Sequence, residues 1–328
     1  MKLATIPNGT KDGELVVVST DLAAAVSAAG IAPTLLDAME RWTEVVPRLE
    51  SLARDLAFGR AQGTFPFDQK TALSPLPRSF QWLDGSCFKN HLRLMAMSQG
   101  RDPDIEVNAP FPLMYQGMSD DFYRPQGDIP LPREEDGIDF EAEIGIVVDE
   151  VPMGTTAEEA GKHIRLVLLI NDVSLRAFVK REIVTGFGWM NAKASTGFSP
   201  VAATPDELGA AWTGIVNLPL RIDWNGQPFG RPSGAEMSYT FPQLIEHVAR
   251  TRKIAAGTII GSGTVSNANY KEVGSACIAE RRSIEMIEQG EPKTGFMKFG
   301  DRVRIEMLDA DGRSIFGAID QTIVQYRR

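Results

Sequence analysis

Residues 139–148 read DFEAEIGIVV, an apolar run that carries two carboxylates two residues apart. Side chains of a β-strand point alternately to its two faces. The alternation therefore predicts one apolar face, and it puts Glu141 and Glu143 together on the opposite face. Two like charges on a largely buried face repel each other and lose their hydration. The stretch thus predicts a core strand whose carboxylates need a compensating charge. The residues of the apolar face are Phe140, Ala142, Ile144, Ile146 and Val148.

A divalent cation would supply that charge, because Mg²⁺ and Ca²⁺ prefer oxygen ligands. Asp172 follows a second apolar run, RLVLLIN, and comes just before a predicted helix. It therefore lies where a strand ends and a helix begins, a common place for ligands. Arg176, in the first turn of that helix, is a candidate for holding a substrate carboxylate. In the alternative interpretation, Glu141 and Glu143 lie on a solvated face and Asp172 caps the helix.

Around this strand, from residue 76 to 328, strand patterns dominate and predict an α+β domain built on an antiparallel or mixed sheet. Further apolar runs predict strands at 166–170, 257–260, 303–307 and 315–324. Helical patterns are fewer, at 156–163, 174–184 and 241–250.

Residues 1–75 are predicted to form a small N-terminal α/β domain. Two short strands flank the turn-forming NGTKDG, and helices are predicted over 22–30 and 31–58. Pro47 is expected to bend or break the second helix. An alternative divides that stretch into two helices joined at residues 45–47.

The composition is that of an ordinary soluble enzyme, with 43% hydrophobic and 23% charged residues in 328. The net charge of −9 argues against a nucleic-acid partner. Two cysteines are too few for a disulfide scaffold. Neither an apolar signal-peptide core nor an apolar run long enough for a bilayer is found, so a cytoplasmic protein without a membrane partner is expected.

Five segments, taken together and in order, resemble the fumarylacetoacetate hydrolase superfamily over about residues 80–325. They are residues 110–132, 139–148 (DFEAEIGIVV), 168–178 (LLINDVSLRAF), 191–201 (NAKASTGFSPV) and 261–266 (GSGTVS), and residues 82–95 (WLDGSCFKNHLRLM) add a further match. The resemblance implies a β-rich catalytic domain of mixed β-sandwich or roll type behind the N-terminal α/β domain. It also implies a metal site of Asp84, Glu141, Glu143 and Asp172 that binds Mg²⁺ or Ca²⁺, with Mn²⁺ as an alternative.

The same resemblance implies the catalytic residues. His91 follows Asp84 by seven residues, as in fumarylacetoacetases proper, and would be the general base. Glu280, in GSACIAE, would orient His91, and Lys193 would stabilise developing negative charge. The substrate-binding residues would be Arg176, Tyr115 and Thr264.

Two positions distinguish this chain within the superfamily. The smaller acylpyruvase-type members carry a Glu three residues after the His, where this chain has Leu94. A substrate-binding Gln of the superfamily is replaced by Val179.

The expected activity is metal-dependent hydrolysis of the C–C bond of a 1,3-dicarbonyl acid. Fumarylacetoacetate, which would give fumarate and acetoacetate in tyrosine breakdown, is the leading substrate. Alternatives are acylpyruvate hydrolysis, oxaloacetate decarboxylation and hydration or dehydration of 2-oxo acids. A non-catalytic protein that binds small acids is the alternative outside enzymes. The superfamily also implies a homodimer.

Overall fold

The computed structural model of the chain describes residues 1–327. The strands are β1 (Lys2–Ile6), β2 (Glu14–Val18), β3 (Ala24–Ser27), β4 (Phe65–Pro66), β5 (Trp82–Gly85), β6 (Met114–Gly117), β7 (Gln126–Leu131), β8 (Ile138–Asp139), β9 (Ala142–Val148), β10 (Ile164–Asn171), β11 (Ser174–Leu175), β12 (Gly197–Phe198), β13 (Val201–Ala203), β14 (Leu220–Trp224), β15 (Gln227–Gly230), β16 (Thr258–Gly261), β17 (Arg302–Met307) and β18 (Ile319–Gln325). The α-helices are α1 (Leu35–Glu40), α2 (Trp42–Ala57), α3 (Lys89–Ser98), α4 (Pro103–Val107), α5 (Ala157–Ala160), α6 (Arg176–Thr185), α7 (Phe241–Ala249), α8 (Tyr270–Val273) and α9 (Ile278–Gln289).

The strand β9 lies inside a large mixed sheet of order β4-β3-β2-β1-β13-β10-β9-β16-β5-β6. It runs antiparallel to β10 on one side and to β16 on the other, and β5 joins β16 in parallel. The first residues of β9 therefore lie beside the last residues of β10, β16 and β5. This one end of the sheet brings together side chains from four strands.

Both faces of β9 are buried, as the apolar run predicts. The apolar face packs into the main core, which also contains Ile222 of β14, Ile305 of β17 and Ile319 of β18. On the other face, Val147 packs with residues of β10 and of the N-terminal region. Gly145 allows β10 to approach this face, since a Cβ atom there would lie 2.6 Å from Ile170 Cδ1.

A second sheet, of order β15-β14-β17-β18-β7, shares the main core with the large sheet. A two-stranded sheet of β11 and β8 adjoins the start of β9. Two packed sheets with helices around them form an α+β sandwich, so the predicted fold class is confirmed. The helices predicted at 174–184 and 241–250 correspond to α6 and α7.

The N-terminal residues continue the large sheet, because β1 pairs with β13 of the C-terminal part. One prediction here is wrong. Residues 22–30 do not form a helix; they contain β3, which pairs with β2. Alanine favours helices in isolation, but a partner strand and burial of Ala25 and Val26 decide the conformation here. The division of the chain at residues 75 and 76 stays a prediction.

The predicted helix over residues 31–58 is divided, but at Arg41 instead of at Pro47. Pro47 lies within α2 on its exposed side, one turn after the exposed Thr43. Proline has no N–H, so the carbonyl group of Thr43 lacks its hydrogen-bond donor in the helix. Because Thr43 is exposed, water can replace that donor. The alternative with a joint at residues 45–47 is therefore also wrong. In the described part of the chain, no helix is both long enough and apolar enough to cross a membrane.

Candidate metal centre and catalytic residues

Three buried carboxylates meet at the end of the large sheet where β5 and β10 finish and β9 begins. Asp84 comes from β5, Glu143 from β9, and Asp172 from the residue after β10. One oxygen of each lies within 4.8 Å of the others. Gly261 of β16 makes room for this group, because a Cβ there would lie 2.5 Å from Asp84 Oδ1.

Glu141 joins these three residues in a cluster of four carboxylates, in which Asp84 and Glu143 form the unpaired half. Both oxygens of Glu143 are buried and have no hydrogen-bond partner among the described residues. Burial and the neighbouring Asp84 charge raise the pKa of the Glu143 carboxyl well above its usual range. Burial and the Asp172 charge do the same to the pKa of Asp84. The Asp84 side chain accepts a hydrogen bond from Gly263 N at 3.0 Å.

Glu141 and Asp172 form the paired half. The Lys193 ammonium lies 2.6 Å from Glu141 Oε2 and 2.5 Å from Asp172 Oδ2. Arg176 Nη2 lies 2.6 Å from Glu141 Oε1. Burial raises the pKa of Glu141, but the charges of Lys193 and Arg176 outweigh it and hold that pKa well below its usual range.

The unpaired half fits a divalent cation. Unpartnered buried carboxylate oxygens are costly, and several converging oxygens are the ligands that Mg²⁺, Ca²⁺ and Mn²⁺ accept. The three-carboxylate group consists of Asp84, Glu143 and Asp172. Glu141, the fourth predicted ligand, instead uses its oxygens for Lys193 and Arg176. Its role as a ligand stays a prediction.

The predicted pair of His91 and Glu280 is formed, although the two residues are 189 positions apart. His91 lies in the first turn of α3, and its Nδ1 is 2.8 Å from Oε2 of Glu280 in the first turn of α9. If Nδ1 carries the proton donated to this carboxylate, Nε2 has the free electron pair. The side chain of His91 is 13% exposed and that of Glu280 is fully buried. The pair is therefore arranged as a base and the residue that orients it.

Tyr115 and Thr264 also lie at this end of the sheet. The Tyr115 hydroxyl donates to Asp172, and its ring centre is 5.4 Å from the Lys193 ammonium. Burial and the Asp172 charge raise the pKa of Tyr115 well above its usual range, so it stays a donor. Thr264 is buried in the loop after β16, next to the Gly263 amide that binds Asp84.

Arg176 is held by protein carboxylates instead of standing free for a substrate. Its Nε donates to Asp139 Oδ2 at 2.8 Å, in addition to its contact with Glu141. The predicted role in binding substrate is untested. What the geometry shows is a half-buried cation that neutralises Asp139 and Glu141, just before β9.

Asp139 is the site residue that the sequence reasoning missed. Its two oxygens accept from the amides of Ile278 at 2.8 Å and Ala279 at 2.9 Å, at the start of α9. Asp139 therefore joins Arg176 to the helix that carries Glu280. The signal was present in the sequence, because strand alternation places Asp139 on the same face as Glu141 and Glu143.

Comparisons with known proteins agree with this architecture. Residues 81–324 match the family described as Fumarylacetoacetate (FAA) hydrolase C-terminal. Residues 1–78 match Fumarylacetoacetase N-terminal domain 2. The two matches thus place the fold in a known class of hydrolases and related enzymes that act on C–C bonds. The chain belongs to the fumarylacetoacetate hydrolase family.

Individual relatives are distant. A 2,4-didehydro-3-deoxy-L-rhamnonate hydrolase of Sphingomonas sp. (strain SKA58) is 28% identical over 50% of this chain and 57% of its own length. A maleylpyruvate hydrolase from Sphingobium sp. SYK-6, solved with manganese(II) and pyruvate, has a TM-score of 0.66 at 16% identity over the whole of both chains. A fumarylacetoacetate hydrolase from Exiguobacterium antarcticum has a TM-score of 0.66 at 15% identity over 99% of this chain and 100% of its own. The solved structures share the fold with this chain.

Proposed function

We propose that the protein hydrolyses the C–C bond of a 1,3-dicarbonyl acid, with fumarylacetoacetate as the leading substrate in tyrosine and phenylalanine breakdown. One observation carries the proposal. A group of three buried carboxylates, one of which has no partner, lies at the same end of the sheet as a paired His91 and Glu280. Simple binding of an acid needs no oriented base, so this pairing favours catalysis.

Asp84, Glu143 and Asp172 would hold a divalent ion, with Glu141 as a possible fourth ligand and Mg²⁺, Ca²⁺ or Mn²⁺ as candidates. When bound, such an ion polarises carbonyl oxygens as a Lewis acid. Manganese in the maleylpyruvate hydrolase is consistent with this choice.

His91 would take a proton from water, and Glu280 would stabilise the imidazolium that results. The water oxygen forms a bond to the ketone carbon, and the adjacent C–C bond breaks. The carbon of the leaving fragment then takes the proton that His91 holds. For fumarylacetoacetate, the products are fumarate and acetoacetate.

Lys193 would stabilise the negative charge that develops on the reacting oxygens. Burial lowers the pKa of Lys193, but the charges of Asp172 and Glu141 outweigh this effect and raise the pKa above its usual range. The ammonium therefore stays protonated. A fixed cation in a buried site is worth a few kcal/mol of transition-state stabilisation. Tyr115, whose hydroxyl bonds Asp172, would keep that carboxylate in place.

The test is a substrate panel with purified protein. Fumarylacetoacetate, an acylpyruvate and oxaloacetate are each mixed with the protein and Mg²⁺ or Mn²⁺, and then with EDTA, while the dicarbonyl absorbance is followed. We expect fast, EDTA-sensitive loss of fumarylacetoacetate. Turnover of only the shorter acids would move the protein to the acylpyruvate hydrolases or to the oxaloacetate-converting members of the family. No turnover by the metal-loaded protein would support the non-catalytic alternative.

A variant separates chemistry from metal binding. His91→Ala should lower kcat by about 10²–10⁴-fold, the usual contribution of a general base. Metal affinity, measured by calorimetry, should not change. Loss of metal affinity together with activity would show that His91 is a ligand instead of a base.

We also propose a homodimer in the cytoplasm. Large apolar side chains on α6 and the following loop support the dimer, since Ile183, Val184, Phe187 and Met190 are exposed. Light scattering during size-exclusion chromatography tests it, and a monomeric mass at micromolar concentration would contradict it.

A further inference from the structure

The segment between α6 and Lys193 carries an aromatic side chain, Trp189, that contacts Tyr115 of the candidate site. We propose that Trp189 determines substrate specificity by selecting acids whose tail, beyond the oxo-acid head, is flat and unsaturated or apolar instead of hydroxylated. This inference rests on the proposed function, and it names the class of substrate.

Trp189 is one aromatic contact away from the carboxylate group. Its ring centre lies 6.3 Å from that of Tyr115, with the two planes at 83°. Tyr115 in turn contacts Asp172 through its hydroxyl and the Lys193 ammonium through its ring. A molecule bound at the carboxylates by its head therefore extends toward a wall made by these two rings.

The segment is held in place at its return to the sheet. The Glu182 side chain accepts hydrogen bonds from the amides of Met190 at 2.9 Å, Asn191 at 2.8 Å and Ala192 at 3.1 Å. Gly186 and Gly188 have φ of 70° and 96°, which lets the chain reverse after α6. These contacts join the backbone to Glu182, so they do not involve the indole of Trp189.

The chemistry of the wall distinguishes between tails. Lys193 and Arg176 are the cations whose charges act most strongly on Glu141, and each already contacts a protein carboxylate. The aromatic pair offers mainly ring surface, which favours flat or apolar groups. A hydroxylated tail would lose hydration against the rings without equivalent hydrogen bonds. The 2,4-didehydro-3-deoxy-L-rhamnonate hydrolase among the relatives acts on a sugar-derived acid, so the two tail classes are a real alternative within the family.

The experiment compares wild type with Trp189→Ala, Trp189→Phe and Phe58→Ala. Phe58 is the control, since it is an exposed aromatic residue just after α2, outside both the Trp189 segment and the surface proposed for the dimer. Each protein is loaded with Mn²⁺. Pyruvate binding by calorimetry reports on the head of the site. KM and kcat are then measured for 2,4-dioxohexanoate and 2,4-didehydro-3-deoxy-L-rhamnonate, two dioxo acids that share a head and differ only by a hydroxyl group on the tail.

We expect wild type to prefer 2,4-dioxohexanoate. Trp189→Ala should raise KM for 2,4-dioxohexanoate about tenfold, the usual size of one lost apolar contact, with kcat changed less than about twofold. Trp189→Phe should restore KM to within about threefold of wild type. Pyruvate affinity should be the same in all variants, and Phe58→Ala should match wild type.

A wild-type preference for the hydroxylated acid, or equal KM values in Trp189→Ala and Phe58→Ala, would overturn the inference while leaving the proposed function intact. If wild type binds pyruvate but turns over neither acid, competition of each acid against pyruvate gives the same comparison. Absence of both Mn²⁺-dependent pyruvate binding and turnover would overturn the proposed function, and this inference with it.

Discussion

The two halves of the cluster of four carboxylates differ in the source of the positive charge that neutralises them. Glu141 and Asp172 are matched by Lys193 and Arg176, so the protein neutralises them itself. Asp84 and Glu143 have no such partner, and burial raises the pKa of both. The protein therefore neutralises the paired half itself, although Asp172 also borders the candidate metal centre, whereas the unpaired half needs a ligand to supply positive charge. A buried cluster of charges can thus combine ion pairs within the protein with carboxylates that are available to a ligand.

The largest expected effect comes from breaking the paired half. Lys193→Met leaves Glu141 and Asp172 buried without their shared cation, and such losses cost about 3–5 kcal/mol of unfolding free energy. Urea denaturation of the metal-free protein measures the loss. Lys253→Met is the control, because its partner Glu150 and the lysine side chain are 62% and 67% exposed. An exposed pair contributes at most about 1 kcal/mol, so equal losses in the two variants would refute the comparison.

Glu143→Gln tests the unpaired half and should change two quantities in opposite directions. Affinity for Mn²⁺ should fall at least about tenfold, because even outer partners of metal ligands contribute that much. Stability of the metal-free protein should stay the same or rise by about 1 kcal/mol, since a like charge beside Asp84 is removed. Glu141→Gln is the matched variant and should lower metal-free stability, because it weakens two ion pairs. A loss of metal-free stability in Glu143→Gln as large as that in Glu141→Gln would contradict the division into halves.

The pH dependence of stability follows from the raised pKa values of Asp84 and Glu143. A carboxyl whose pKa is higher in the folded than in the unfolded state stabilises the fold below its unfolded pKa, near 4. That contribution is lost as pH rises through the folded pKa. The melting temperature of the protein in EDTA should therefore fall at higher pH, and Mn²⁺ should reduce the fall. A fall of the same size in EDTA and in Mn²⁺ would show that the cation does not bind these two carboxylates.

The smallest effect is expected at the segment that carries Trp189. Glu182→Ala removes the acceptor for three amides, so hydrogen exchange of residues 190–192 should become faster. Stability should change by less than about 1 kcal/mol, because Glu182 is close to solvent. Glu285→Ala is the control, since Glu285 accepts in the same way from the amides of Lys293 and Thr294 on another loop. Unchanged exchange in Glu182→Ala would show that the segment is held by other contacts.

Local patterns predicted much of this fold because strand alternation and helix periodicity depend on neighbouring residues. The two faces of β9 and the helices α6 and α7 lie where they were expected. Three of the four carboxylates implied by the resemblance lie close together. The failure at residues 22–30 has the opposite origin. Alanine-rich segments favour helix locally, and only pairing with β2 makes this one a strand.

The sequence by itself determined that two carboxylates share a face of a core strand, and its motifs predicted the pair of His91 and Glu280. Tertiary structure alone decided how those charges are matched. Lys193 reaches Glu141 from 52 positions away, and Asp139 joins Arg176 to a helix more than 130 residues later. Such pairs arise from sheet order and chain reversals, which bring distant side chains within hydrogen-bonding distance and leave no periodic trace along the chain. The motif therefore placed Glu141 and Glu143 in one group. In the folded chain, Glu141 is paired with Lys193 and Arg176, whereas Glu143 has no hydrogen-bond partner among the described residues.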